Sequence, residues 1–415
     1  MLNLKLKAMT VIYSSIHAMM AITKFKIQNL RLMWMLTLFF SYQSIAQSDV
    51  EIVLKSVEAN NKGLQSNKKY WEARKAEFKT GLTPYDPQVE FDYMFGSPVE
   101  AGNQRDFAVT QRLDFPTAYK RKKELSGRQI AQTELQQQVY KQDILLEAKL
   151  TALHIIYLNK KAAELGRRLA NTQQLVRDYQ KKLDKGDVII LEVNKAKLQL
   201  LNIQNEVALN QNAKQVIQTK LAELNGGIPI EVSDTIYPPL PVIPHFETLV
   251  STIEANDPVI KTYQQEIKIQ QQQIAVQKAL NLPKLEAGYH AQDILGQSYR
   301  GVHAGITIPL WENKNKLKAA RANLDYATAS VQTHITEHRL ENKAYYDQLE
   351  VRSNSIQEYR DLLVSLNNTV LLNKALQLGQ ITIIQYFQDE AYYFSAYDKL
   401  LQMELEYQQA VARLF

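Results

Sequence analysis

The chain has 415 residues, of which 14 are Gly and 12 are Pro, about half the usual combined share of these helix and strand breakers. So few turns exclude a many-stranded fold and a doubly wound fold with Gly-rich loops. The absence of Cys excludes disulfide staples, thiolate metal sites, Cys nucleophiles and lipid attachment through an N-terminal Cys. The formal charge is +6, a sign that often accompanies nucleic-acid binding. Here Lys5, Lys7, Lys24, Lys26 and Arg31 sit in the first 46 residues with no acid among them. The remaining body carries 44 basic against 43 acidic residues, a balance that argues against nucleic acid as a partner.

Those 46 residues read as a secretory signal. Lys24 to Arg31 forms a basic segment, Leu32 to Tyr42 an apolar one, and Ser44-Ile45-Ala46 a small-x-small cleavage site. The apolar run falls short of the roughly 20 residues that span a bilayer, and no later stretch reads as a transmembrane helix. Any membrane contact of the mature chain must use strands or a surface.

From residue 47 the chain is a tandem duplication. Ala59-Asn60-Asn61 recurs as Ala255-Asn256-Asp257, and Pro87 of PQVEFDY recurs as Pro283 of PKLEAGY, both at an offset of 196. Pro116 closes VTQRLDFP and Pro309 sits in ITIPLW, and each lies 70 residues before a solitary glycine, Gly186 or Gly379. The units are residues 1–46 (signal), 47–226 (first repeat), 227–244 (linker) and 245–415 (second repeat). Five prolines, at 229, 238, 239, 241 and 244, fill the linker, which should run extended over the surface.

Each repeat reads as helix, two strands, long helix, turn, shorter helix. In the first, Val89, Phe91, Tyr93 and Phe95 alternate with Glu90 and Asp92. Phe107, Val109, Leu113 and Phe115 then oppose Thr110, Arg112 and Asp114. In the second, Leu285, Ala287 and Tyr289 oppose Glu286 and His290, and Ala304, Ile306 and Ile308 oppose His303 and Thr307. Two readings fit this alternation. Ordinary hairpins packed on helices would leave one face wet. Membrane barrel strands would face lipid on one side and a polar lumen on the other, but four strands cannot close a barrel, so several chains would have to share one. The strand pattern alone leaves both open.

After Pro116 and after Pro309 the pattern predicts helices of about 70 residues, roughly 105 Å each. Leu165, Leu169, Val176, Tyr179 and Leu183, then Leu200, Ile203 and Val207, then Ile217, Leu221 and Leu224 keep the seven-residue spacing of an antiparallel coiled-coil hairpin reversing near Gly186.

These features together resemble the TolC-like outer-membrane channel proteins of tripartite efflux and secretion systems. The resemblance covers the signal, the duplicated units, the Pro-rich linker and the VTQRLDFP and ITIPLW phrases. It implies a mainly α fold with a small β part, in which three chains form a homotrimer with a twelve-stranded barrel in outer-membrane lipid and a helical tunnel in the periplasm. It implies a passive conduit, coupled to an inner-membrane pump through a periplasmic adaptor. Among the branches of the family, the short chain and strand phrases look most like the heavy-metal cation efflux members. The family's adaptor-binding tip is matched by Lys182, Gly186, Glu192, Val193 and Ala196, with Lys for Arg and Glu for Asp, while Ile189 replaces a small residue. The second tip keeps Gly379 but has Gln385 in the acidic position. Family acids that ring the periplasmic gate have Asp389 and Glu390 as nearby counterparts, in displaced register. Glu90, Asp92, Arg112, Asp114, Glu286, His290 and His303 would line the barrel lumen.

No GxSxG, P-loop, HExxH or Gly-rich dinucleotide motif is present, so no enzyme or cofactor is expected. His334 and His338 stand at i and i+4 and could hold a divalent ion, but in this Gln-rich helix they are expected to be solvated. The rival of another class is a soluble periplasmic coiled-coil adaptor or scaffold.

Overall fold

The computed structural model describes residues 48–366 and 369–415; the expected signal, residues 1–46, lies outside the described residues. Each repeat opens with two helices: α1 (Asp49–Asn60) and α2 (Lys62–Glu77) in the first. The second has the counterparts α5 (Phe246–Asn256) and α6 (Pro258–Leu280). The sequence suggests one helix at each place. The division falls on the repeated Ala-Asn-Asn/Asp triplet, whose last residue is a cap. Asn61 accepts from the Leu64 N–H at 2.8 Å, and Asp257 from the Val259 N–H at 2.6 Å. Such short side chains satisfy orphan donors at a helix start, so the chain bends and a new helix begins.

Strands β1 (Gln88–Met94), β2 (Gln104–Leu113), β3 (Lys284–Ile294) and β4 (Gln297–Thr307) form one antiparallel sheet in the order β1-β2-β3-β4. The two repeats meet at β2 and β3, with Val109 opposite Tyr289. From β2 the chain turns at Pro116 into α3 (Pro116–Asp184), 69 residues long, or about 104 Å. It reverses into α4 (Ile190–Leu224).

The second repeat departs from the expected single 70-residue helix. Helix α7 (Lys316–Ser365) has 50 residues and is followed by α8 (Thr369–Gln377) and, past the second tip, α9 (Ile383–Leu414). Its start is delayed by tight turns at Trp311 to Lys316, where Asn315 is left-handed and the Asn313 amide donates to the Leu280 carbonyl at 2.7 Å. Helix α7 ends at Ser365, where the cap residue Leu366 donates its N–H to the Leu362 carbonyl at 2.8 Å.

The main core lies around the middle of α3, where Ile155, Ile156 and Leu153 pack with Val53 and Val57 of α1, Leu221 of α4 and Leu405 of α9. The linker runs without helix or strand from Ile228 to Pro244, but it is not wholly superficial. Val232 is buried in this core, and the Asn159 amide donates to the Val232 and Asp234 carbonyls at 3.0 Å. An apolar side chain and two held carbonyls outweigh the prolines' preference for the surface at that point. Among the described residues no helix is long and apolar enough to cross a membrane, a statement that does not bear on strands.

Candidate functional site

The sheet has two chemically opposite faces, and neither is covered by a helix. Register places Val89, Phe91, Phe107, Val109, Tyr289 and Val302 on one side. Phe91 is 65% exposed and Val302 92% exposed. In a soluble hairpin these side chains would be the ones turned toward a core, because exposing them forfeits about 1.5–3 kcal/mol each. The packed-hairpin reading is therefore not what the chain adopts. β1 and β4 are open edges, each presenting unpaired backbone donors and acceptors.

The opposite face gathers Glu90, Asp92, Arg112, Glu286, His290 and His303. The Arg112 Nε donates to Glu286 Oε2 at 2.8 Å, and the other Glu286 oxygen lies 3.4 Å from His303 Nε2. Cross-strand partners His290 and Gly301, Gly288 and His303, and Glu286 and Gly305 alternate long polar side chains with glycines, leaving room above the sheet. Asp106, directly opposite Asp92, belongs to this face and was not recognised in the sequence. It stands two residues before Ala108 and four before Thr110, so the same alternation contains the signal.

Asp114 departs from the expected lumen position. Leu113 ends β2, and Pro116 begins α3, so the backbone has left the sheet by residue 114. Asp114 is 2% exposed and its carboxylate pairs with Lys122 at 2.8 Å. Phe95, Phe115 and Ile308 likewise fall beyond the strand ends.

At the far end of the helices, the two hairpin tips pack on one another. Tyr179 of α3, Val193 and Ala196 of α4, Leu376 of α8, and Ile383 and Tyr386 of α9 form one buried cluster. Gly186 and Gly379 each have positive φ, 78° and 69°, and each closes its preceding helix in the same way. The Asp187 N–H donates to the Lys182 carbonyl and the Gln380 N–H to the Ala375 carbonyl, both at 2.9 Å. This six-residue closure requires a left-handed residue, which glycine supplies with no Cβ penalty. The Lys182 ammonium lies 5.4 Å from the Tyr179 ring centre. Burial, with a smaller effect of the Glu192 charge, pushes the Tyr179 hydroxyl up to about 12.

The two returning helices start differently. Thr382 and Gln385 form a reciprocal capping box: the Gln385 N–H donates to Thr382 Oγ1 at 3.2 Å, and the Thr382 N–H to Gln385 Oε1 at 2.9 Å. Gln385, in the acidic position of the tip pattern, is therefore occupied in holding its own helix. In α4 the cap residue is Ile189, which offers no side-chain acceptor, so Glu192 supplies negative charge to the helix start without a capping partner. Ile189 itself is 61% exposed, so its bulk points outward and does not disturb the tip. Together with Ile190, Leu191, Leu378 and Ile384 it gives the tips an exposed apolar surface.

Asp389 and Glu390 part company. Asp389 is exposed, whereas Glu390 is buried and accepts from the Tyr386 hydroxyl at 3.1 Å; burial holds its carboxyl above the ordinary carboxylate range. A carboxyl turned into the helix packing cannot also ring an opening. His334 and His338 are not solvated as expected. His334 stacks on Tyr263, and His338 Nε2 lies 3.2 Å from Asp257, the cap of α6. Among the described residues no group of three or more acidic, His or Cys side chains could hold a metal.

One further feature escaped the heptad reading, which tracks only apolar residues. Arg168, its side chain 3% exposed, bonds Glu164 at 2.9 Å and Asp398 of α9 at 2.7 Å, with its guanidinium 4.1 Å above the Phe394 ring. It ties the first repeat to the second.

No protein-family model matches the sequence, and no curated protein sequence does. Solved structures do resemble the fold. CusC, whose structures report transmembrane channel formation, has a TM-score of 0.72 at 15% identity over 88% of this chain and 91% of its own. The outer membrane protein VceC from Vibrio cholerae has a TM-score of 0.70 at 14% identity, over 88% and 94%. The Campylobacter jejuni CmeC outer membrane channel has 0.66 at 15% identity, over 88% and 84%. Identities this low establish architecture and not activity: the chain has the fold of the TolC-like outer-membrane efflux channels.

Proposed function

We propose that this chain is one subunit of an outer-membrane efflux channel, a passive conduit opened and energised by an inner-membrane pump through a periplasmic adaptor. The observation that carries this reading is the uncovered four-stranded sheet, apolar on one side and charged on the other, with both edges open. Three of the four strands, β2, β3 and β4, have 10 or 11 residues and cross an apolar layer of about 25 Å when tilted; β1 has seven and covers only part of that height. Three copies supply twelve strands, so a homotrimer in which β4 of one chain pairs with β1 of the next removes every edge. The apolar face then meets lipid and the face with Glu90, Asp92, Asp106 and Glu286 lines water. Against these four acids the face carries Arg112 and Lys284, the latter paired with Glu312 at 2.7 Å, so acids outnumber the permanently charged basic groups and the lumen favours cations, heavy-metal ions among them.

Exposed apolar residues on the helices support the same assembly. Leu191, Leu198, Leu201, Leu209 and Val216 form a stripe along α4, and Tyr326, Leu340, Val351 and Leu362 recur along α7, as expected of surfaces that pack on neighbouring copies. The tips present Lys182, Gly186, Glu192 and Gly379 as the adaptor's docking place, with Val193 and Ala196, both buried, holding the tip's shape from within, and localisation is the outer membrane of a Gram-negative cell with the helices in the periplasm. Because the chain has no Cys, edge pairing can be tested directly. Cysteines introduced at several positions along β1 and β4 should oxidise into a covalent trimer in detergent. A product that remains monomeric across the whole series contradicts the shared barrel.

A further inference from the structure

The apolar face of the sheet carries one charged cluster, at its hairpin end. Arg105 lies opposite Tyr93 on β1 and Asp293 on β3, and Arg300 lies opposite Ala291. Strand alternation therefore sets both guanidiniums on the side of Phe91, Phe107 and Tyr289, away from the acidic face. Together these residues line a depression of about 580 Å³. Asp293 accepts from Arg300 at 3.0 Å and from the Ser298 hydroxyl at 2.6 Å. Arg105 makes no ion pair within 4 Å among the described residues, and its guanidinium is held 5.7 Å from the Tyr93 ring centre. The cluster thus has one positive charge in excess, above an aromatic floor.

Its height on the sheet is informative. Arg105 is four residues from Val109, about 13 Å along the strand and roughly 10 Å along the membrane normal at a 45° tilt. That places it near the edge of the apolar layer, on the side away from the helices. An arginine aimed into hydrocarbon is costly, and one at the boundary is not. Guanidinium also matches phosphate geometry with paired N–H donors.

We propose that Arg105 and Arg300 bind the phosphate of an anionic lipid headgroup, whose acyl chains lie along Phe91, Phe107 and Tyr289. This rests on the membrane-facing orientation of the apolar face proposed above. The test uses the full mature chain assembled in dodecyl maltoside, with native mass spectrometry to count retained dioleoyl phosphatidylglycerol or dioleoyl phosphatidylcholine. The expected result is preferential retention of phosphatidylglycerol, up to one per chain, reduced at least about tenfold by Arg105→Gln with Arg300→Gln and unchanged by Arg177→Gln on the exposed surface of α3. Equal retention of the two lipids, or retention unaffected by the double substitution, overturns the proposal. Displacement of the lipid by inorganic phosphate at the same concentration as the lipid also overturns it, because that identifies a simple anion site to which the acyl chains contribute nothing. Conductance of the same wild-type preparation in planar bilayers reports separately on the channel reading, so failure of the lipid site and failure of the channel are distinguishable.

Discussion

Adjacent residues on β2 offer a discriminating perturbation. Val109 shares the apolar face with Val89 and Tyr289, while Ala108 lies between Glu90 and His290 on the charged face. Val109 is five residues from Gln104, about 17 Å along the strand, or about 12 Å along the normal at a 45° tilt, the middle of a layer about 25 Å tall. A lysine there should cost about 2–4 kcal/mol per chain. Three copies in one barrel raise this to roughly 6–12 kcal/mol per trimer. Ala108→Lys places the same charge beside Glu90 in water and should change stability by no more than about 0.5 kcal/mol. The assay is urea-dependent folding into phosphatidylcholine vesicles, followed by circular dichroism and by gel mobility. Val109→Lys should shift the midpoint strongly and Ala108→Lys hardly at all. Equal, small effects at both positions refute the assignment of faces, because a sheet wet on both sides treats both lysines alike.

Three further outcomes are expected. Arg168→Met should destabilise the helical body by about 3 kcal/mol, near the lower end for breaking a buried ion pair, because Arg167 still bonds Glu164 and Asp398 is partly exposed; thermal unfolding in detergent measures it. Gly186→Ala and Gly379→Ala should each cost about 1–2 kcal/mol from the left-handed backbone alone, since an added Cβ meets nothing within 4 Å at either tip; a loss much larger than this in the same thermal assay contradicts the geometry. Glu390 holds its proton more tightly when folded than when unfolded, so the contribution of its protonated form is present at low pH and is lost as pH rises above its ordinary value of 4.5 toward the raised folded value. Glu390→Gln should therefore raise the unfolding temperature at neutral pH and have little effect near pH 4.

Features set by spacing were legible in the sequence. The offset of 196 locates both hairpins, the solitary glycines locate both tips, and strict alternation assigns nearly every strand side chain to its observed face. What escaped depends on interactions between distant segments. Asn61 and Asp257 read as marks of duplication until their side chains are seen closing helix starts. The pairing of His338 with Asp257 and the stacking of His334 on Tyr263 need α6 beside α7, which the local Gln-rich pattern does not encode. Arg168 looks like a surface charge in a heptad register because its partners Asp398 and Phe394 lie some 230 residues away. Asp114 follows the alternation by count, but the chain leaves the sheet one residue earlier to meet Pro116.

In the function proposed above, copies of this chain pool their strands into a water-filled barrel that crosses a lipid bilayer. The most direct test is current through a planar bilayer after addition of the purified, detergent-assembled mature chain. Discrete, cation-favouring conductance steps from a trimeric species are the predicted result. Folded trimer that neither inserts nor conducts would contradict it.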